Sequence, residues 1–117
     1  MGLLGQMRRS GSSAKDPDTR LLSELQARGA NLSRPRHVIH TIGFQHRDGA
    51  DQAAATAERA GWQATVGDPV DGGLWSLRIE DTRVVDDTTV RAFRAWFERL
   101  AAAHDGAYEG WEAAAKP

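Results

Sequence analysis

RHVIHTIGFQH, residues 36–46, alternates too regularly to be a loop and too strictly to be a helix. Val38, His40, Ile42 and Phe44 fall on one side, and Ile39, Thr41 and Gly43 fall on the other. A strand places successive side chains on opposite faces, so this pattern predicts a strand with one buried face. The stretch that follows, DGADQAAATAERAGW (48–62), changes period. Its alanines recur at helical spacing, with Ala53, Ala54, Ala57 and Ala60 expected on the buried side. Asp48 is the expected cap and Gly61 the expected stop. Small side chains along that face let a helix approach a sheet closely.

The remaining elements follow outward. WQATV (62–66) is predicted as a short strand with Trp62, Ala64 and Val66 on one face. GDPVDGG (67–73) is rich in turn formers, and LWSLRIE (74–80) returns as a strand with Trp75, Leu77 and Ile79 together. Asp86 or Asp87 caps a long helix over about residues 87–104, whose broad apolar stripe holds Val90, Phe93, Phe97, Leu100 and Ala101, with Trp96 at its edge. Gly106 ends it, and AYEGWE (107–112) reads as a last strand. Upstream, Asp16 and Pro17 open a helix with the narrow stripe Leu21, Leu22 and Leu25, closed by Gly29. The order is helix, then β-α-β-β-α-β. Two strand-helix-strand units in tandem predict an α+β ferredoxin-like sandwich: a four-stranded antiparallel sheet, two helices on one face, and an added N-terminal helix. In that layout the first and last strands are neighbours.

A chain of 117 residues is the size of one domain. We expect a flexible lead-in at 1–15, one domain at 16–112, and a short tail at 113–117. The net charge of −1 argues against a general phosphate-backbone binder. The absence of cysteine excludes disulfides and cysteine-based metal sites. No apolar run approaches the roughly 18 residues of a membrane span. MGLLGQMRRS has neither the charge order of a secretion signal nor, with Gln6, the acylation pattern, so a cytoplasmic protein is expected.

Chemistry is sparse. His37 and His40 lie three apart on a strand and point to opposite faces, so they cannot converge on one metal ion. His40 shares its face with Val38, Ile42 and Phe44 and reads as a hydrogen-bonded core histidine. His104 in the last helical turn suits the helix dipole. GDPVDGG lacks the Lys-Ser/Thr of a phosphate loop, and no serine sits in a nucleophile elbow. No catalysis, cofactor or metal is expected. An open four-stranded sheet resembles RNA-recognition modules, but Ile39, Thr41 and Gly43 form no stacking platform, so direct nucleic-acid binding is not expected.

Tyr108 and Trp111 are three apart, and strict alternation would send them to opposite faces. A bulge at Gly110 would bring both to one side. Two readings stay open: both rings pack in the core, or they form a partly exposed contact edge.

Three stretches carry a likeness in order: LLSELQARGANLSRPRHVIH (21–40), the alanine-rich helix into AGWQATV (60–66), and RLAAAHDGAYEGWE (99–112). Together they resemble the RraB family, small regulators that inhibit ribonuclease E. The terminal AYEGWE is similar to that family's Tyr-acid-Gly-Trp signature, and Arg34-Pro35-Arg36 leading into the His40 strand is a second match. The likeness spans roughly Asp18 to Glu112. It implies a noncatalytic ferredoxin-like domain with a protein partner, ribonuclease E or G. The inhibitors of the family are strongly acidic, whereas this chain carries −1. Tyr108, Glu109, Trp111 and Glu112, with Ile39 and Thr41 on the open sheet face, are the expected protein contacts. The alternative is a dimeric ligand-binding or enzymatic domain with a pocket near His40.

Overall fold

The computed structural model describes residues 16–116. The expected lead-in at 1–15 and the final residue of the expected tail lie outside the described residues. The elements run α1 (Pro17–Ala27), β1 (Pro35–Phe44), α2 (Arg47–Arg59), β2 (Gln63–Gly67), β3 (Trp75–Val84), α3 (Asp87–Ala103) and β4 (Gly106–Ala113). One four-stranded sheet has the order β2-β3-β1-β4, and every pair is antiparallel. This is the α+β ferredoxin-like arrangement with α1 added.

Sequence chemistry explains the helix ends. Asp16 accepts the Thr19 backbone N–H at 3.0 Å, and Pro17 follows where its missing donor costs nothing. Asp86 caps α3 in a reciprocal box: it accepts the Thr89 N–H at 2.9 Å, while its own N–H donates to Thr89 Oγ1 at 2.9 Å. Past α2, Gly61 takes a φ of +97° and Trp62 N–H donates back to the Ala57 carbonyl.

Three details differ from expectation. Asp48 does not cap α2: His46 holds that position, without a side-chain hydrogen bond, and Asp48 sits inside the first turn. There its charge still complements the positive helix end. The buried stripe of α2 is Ala50, Ala53 and Ala57, while Ala54 is partly buried and Ala60 is exposed, because the helix begins earlier and stops at Arg59. β3 also runs past Glu80 to Val84. Its polar end is kept extended by β1, which supplies partners as far as Pro35↔Val84.

The core lies between the sheet and the helices α2 and α3. Val38, Ile42 and Phe44 from β1 meet Leu77 and Ile79 from β3, the α2 alanines, and Val90, Phe97, Leu100 and Ala101 from α3. The alternation read in β1 is therefore real, and Arg36 joins its buried side. Among the described residues only Val70 and Leu74 are large, apolar and exposed, and both lie in the β2–β3 loop.

The β1–β4 ladder is irregular at one point. Thr41 pairs with Gly110 and Ile42 with Tyr108, which leaves Glu109 as the extra residue of a bulge. Gly110 has a φ of +118°, a region side-chain-bearing residues avoid. Gly110→Ala is therefore expected to destabilise the fold by about 1–3 kcal/mol, measured by chemical denaturation. A loss under about 0.5 kcal/mol would show that the bulge does not depend on glycine.

Candidate functional site

The bulge decides where the six expected contact residues go. Trp111 pairs with His40 and Tyr108 with Ile42, so both rings face the helices. Glu112 pairs with Ile39 and Gly110 with Thr41, on the opposite, open face. Glu109 turns the same way. A Cβ placed on Gly43 would sit 2.6 Å from Glu109 Oε2 and 2.7 Å from Leu74 Cδ1, so those two side chains close over the glycine. The six residues thus divide into an inner pair, Tyr108 and Trp111, and an outer group, Glu109, Glu112, Ile39 and Thr41. Glu109 and Glu112 are exposed, and Ile39 and Thr41 are half-buried.

The inner pair is held by polar bonds. Trp111 is 7% exposed, and its indole N–H donates to Asp18 Oδ1 at 2.8 Å. Arg94 reaches the same carboxylate with two donors, Nη2 to Oδ1 at 2.8 Å and Nε to Oδ2 at 2.7 Å. Burial alone would raise the Asp18 carboxyl, but the bonds from Arg94 and Trp111 outweigh it and hold the group below its usual value. Asp18 belongs to α1, Arg94 to α3 and Trp111 to β4, so one carboxylate joins three elements. The Arg94 guanidinium also lies 5.1 Å from the Tyr108 ring centre.

Tyr108 continues inward. Its hydroxyl and His40 Nδ1 share a hydrogen bond of 2.8 Å, and its ring stacks parallel to Phe97. His40 is fully enclosed, 4.4 Å from the Phe97 ring centre and nearly perpendicular to Trp62 and Phe93. Its Nε2 has no hydrogen-bond partner. Burial pushes the imidazole down to about 3 and pushes the Tyr108 phenol up, so both stay neutral at ordinary pH. The expected core histidine is what the structure contains.

A second clamp secures the far end of β4. Arg36 is completely buried and donates to three carbonyls: Ala114 at 2.9 Å and Ala115 at 2.7 Å through Nη1, and Asn31 at 2.7 Å through Nη2. AYEGWE is thus fastened at the bulge by Asp18 and beyond its end by Arg36.

The outer group lies on a polar surface. Glu80 bonds Arg78 at 2.9 Å and His37 at 2.8 Å, and the Arg78 bond is the main influence holding its carboxyl below the usual value. His37 and His40 point to opposite faces, and among the described residues no three His, Asp or Glu side chains gather as a metal site would need. Sequence reasoning missed Asp18 and Arg94, which lie 76 residues apart. One signal was available: a buried tryptophan needs an acceptor for its N–H.

A family model described as "Regulator of ribonuclease activity B" matches residues 15–113. No curated protein matches the chain. Among the described residues no helix is long and apolar enough to cross a membrane.

Two outcomes are expected of the inner network. Trp111→Ala should cost about 3 kcal/mol or more, since it empties a packed site and strips a donor from Asp18. A loss under roughly 0.5 kcal/mol in denaturant titration would mark Trp111 as a surface residue. The second concerns pH. Between pH 6.5 and about 3 the unfolded chain takes a proton at His40 that the folded chain refuses. Stability therefore falls as pH falls through that window, at most by about 1.4 kcal/mol per unit. Urea midpoints at about pH 7 and about pH 5 should differ clearly for the wild type and much less for His40→Gln. Equal differences in both proteins would remove His40 as the cause.

Proposed function

The chain belongs to the RraB family of regulators of ribonuclease activity, and on that premise we propose that it is a noncatalytic protein that binds a ribonuclease of the E or G type and restrains RNA cleavage. The observation that supports this reading is the Glu109 bulge. It aims Glu109 to the same side as Glu112, beside Ile39 and Thr41, on the sheet face that neither α2 nor α3 covers. Carboxylates beside Ile39 suit the basic, RNA-binding segments of such a nuclease. Occupying those segments would displace RNA phosphates from the same cations. Tyr108 and Trp111 then act from behind, by fixing the strand that carries the carboxylates. The site of action is the cytoplasm, where RNA is degraded.

The test mixes the purified protein with ribonuclease E or G and measures cleavage of an RNA substrate. Cleavage is expected to slow as the protein is added. Glu109→Lys with Glu112→Lys should weaken the inhibition about tenfold or more while the fold remains intact, because like charges would then meet across the contact. Unchanged cleavage at saturating protein, together with no detectable complex, would sink the proposal.

A further inference from the structure

On the helix side of the molecule, away from the open sheet face, a groove of about 280 Å³ runs between the end of α2 and the outer side of α3. Trp62, Phe93 and Trp96 supply its aromatic lining, Ala60 and Ala92 leave it room, and Arg83 crosses it. These rings are already set in place. Phe93 stands perpendicular to Trp62 at 5.3 Å, and Trp96 stands perpendicular to Phe97 at 5.1 Å. The Arg83 guanidinium lies 4.0 Å from the Trp62 ring centre, and its Nε is bonded to Asp81 at 2.9 Å. Two further arginines lie close to lining residues in sequence. Arg99 lies one turn from Trp96, and Arg59 adjoins Ala60. Neither pairs with a carboxylate among the described residues.

The molecule also carries an exposed apolar residue between two carboxylates. Val70 is 76% exposed, the most exposed large apolar residue described, and it stands between Asp68 and Asp71. It is held out by a tight turn, in which Gly73 N–H donates to the Val70 carbonyl at 3.0 Å and Asp71 and Gly72 take φ values of +52° and +75°. This turn caps the β2–β3 hairpin, whereas Trp62 and Arg83 lie at the hairpin's opposite end. The loop therefore cannot reach the groove of its own chain.

We propose that the groove receives the Val70 loop of a second copy of this chain, with Val70 against Trp96 and Phe93 and with Asp68 and Asp71 facing Arg83, Arg99 and Arg59. An apolar anchor flanked by carboxylates complements an aromatic slot with Arg99 and Arg59 near it, Arg83 being shared with Asp81. RNA fits less well. Arg83 already covers the Trp62 face on which a base would stack, and the lining offers a base edge almost nothing to bond. The contact joins different surfaces on the two copies, so each copy keeps one half free unless the pair closes reciprocally.

Sedimentation of the whole protein from about 10 µM to about 1 mM tests this, that range covering weak self-association. The average mass is expected to rise toward two copies or more. Val70→Asp, Trp96→Ala and Arg99→Glu should each weaken association about tenfold or more. Val70 and Arg99 are exposed, so those two variants keep the fold even if Trp96→Ala does not. An equimolar mixture of Val70→Asp and Arg99→Glu decides the pairing, since the first keeps an intact groove and the second an intact loop. The mixture should associate more strongly than either variant alone. A wild type that stays monomeric throughout overturns the proposal. So does association that the substitutions leave unchanged, or a mixture no heavier than its components. RNA cleavage is a separate readout, so this proposal can fail while the ribonuclease reading stands, or the reverse.

Discussion

One buried carboxylate organises this molecule. Asp18 is 4% exposed, and two residues distant in sequence direct their donors at it. α1 has a thin apolar stripe, with only Leu22 and Leu25 buried alongside Asp18, so apolar packing alone would hold it weakly. The carboxylate makes up the difference through bonds that need α3 and β4 both in place. Removing Arg94 would leave the buried Asp18 charge with only the Trp111 donor and no counter-charge, which costs more than the pair contributes on its own. Helix, helix and strand therefore hold together as one cooperative unit.

The bulge at Glu109 turns that unit outward. Without the extra residue, Tyr108 and Trp111 would fall on opposite faces, and one aromatic would be stranded in solvent. With it, both rings enter the helix side and reach His40 and Asp18, while Glu109 is released to the open face. A single irregularity of register thus builds the interior and arranges the surface at once. The strand signature Tyr-Glu-Gly-Trp fixes two inward rings and one outward carboxylate with a single shift of register.

Much of the fold was legible in sequence because its signals are local. The alternation through β1, the caps at Asp16 and Asp86, and the stop at Gly61 each depend on neighbours a few residues away. The need for a bulge at Gly110 could also be argued from spacing alone. Asp18 and Arg94 could not be found this way. Each looks like an ordinary surface charge on its own helix, and only the folded chain brings the two together. Asp48 misled for the opposite reason: it is a good capping residue, but Arg47 already lies within the helix, which leaves the cap to His46. Arg36 was noticed only as part of a likeness, because a buried arginine bonded solely to carbonyls leaves no charge pattern to read.

That Arg36 clamp bears on how the protein is made. Two of its three acceptors belong to Ala114 and Ala115, and the strand just before them pairs with β1, at the centre of the sheet. During synthesis the central strand lacks one of its two neighbours, and Arg36 two of its acceptors, until β4 and the residues just after it have been made. Completion of the sheet is therefore a late event that waits for the C-terminal strand.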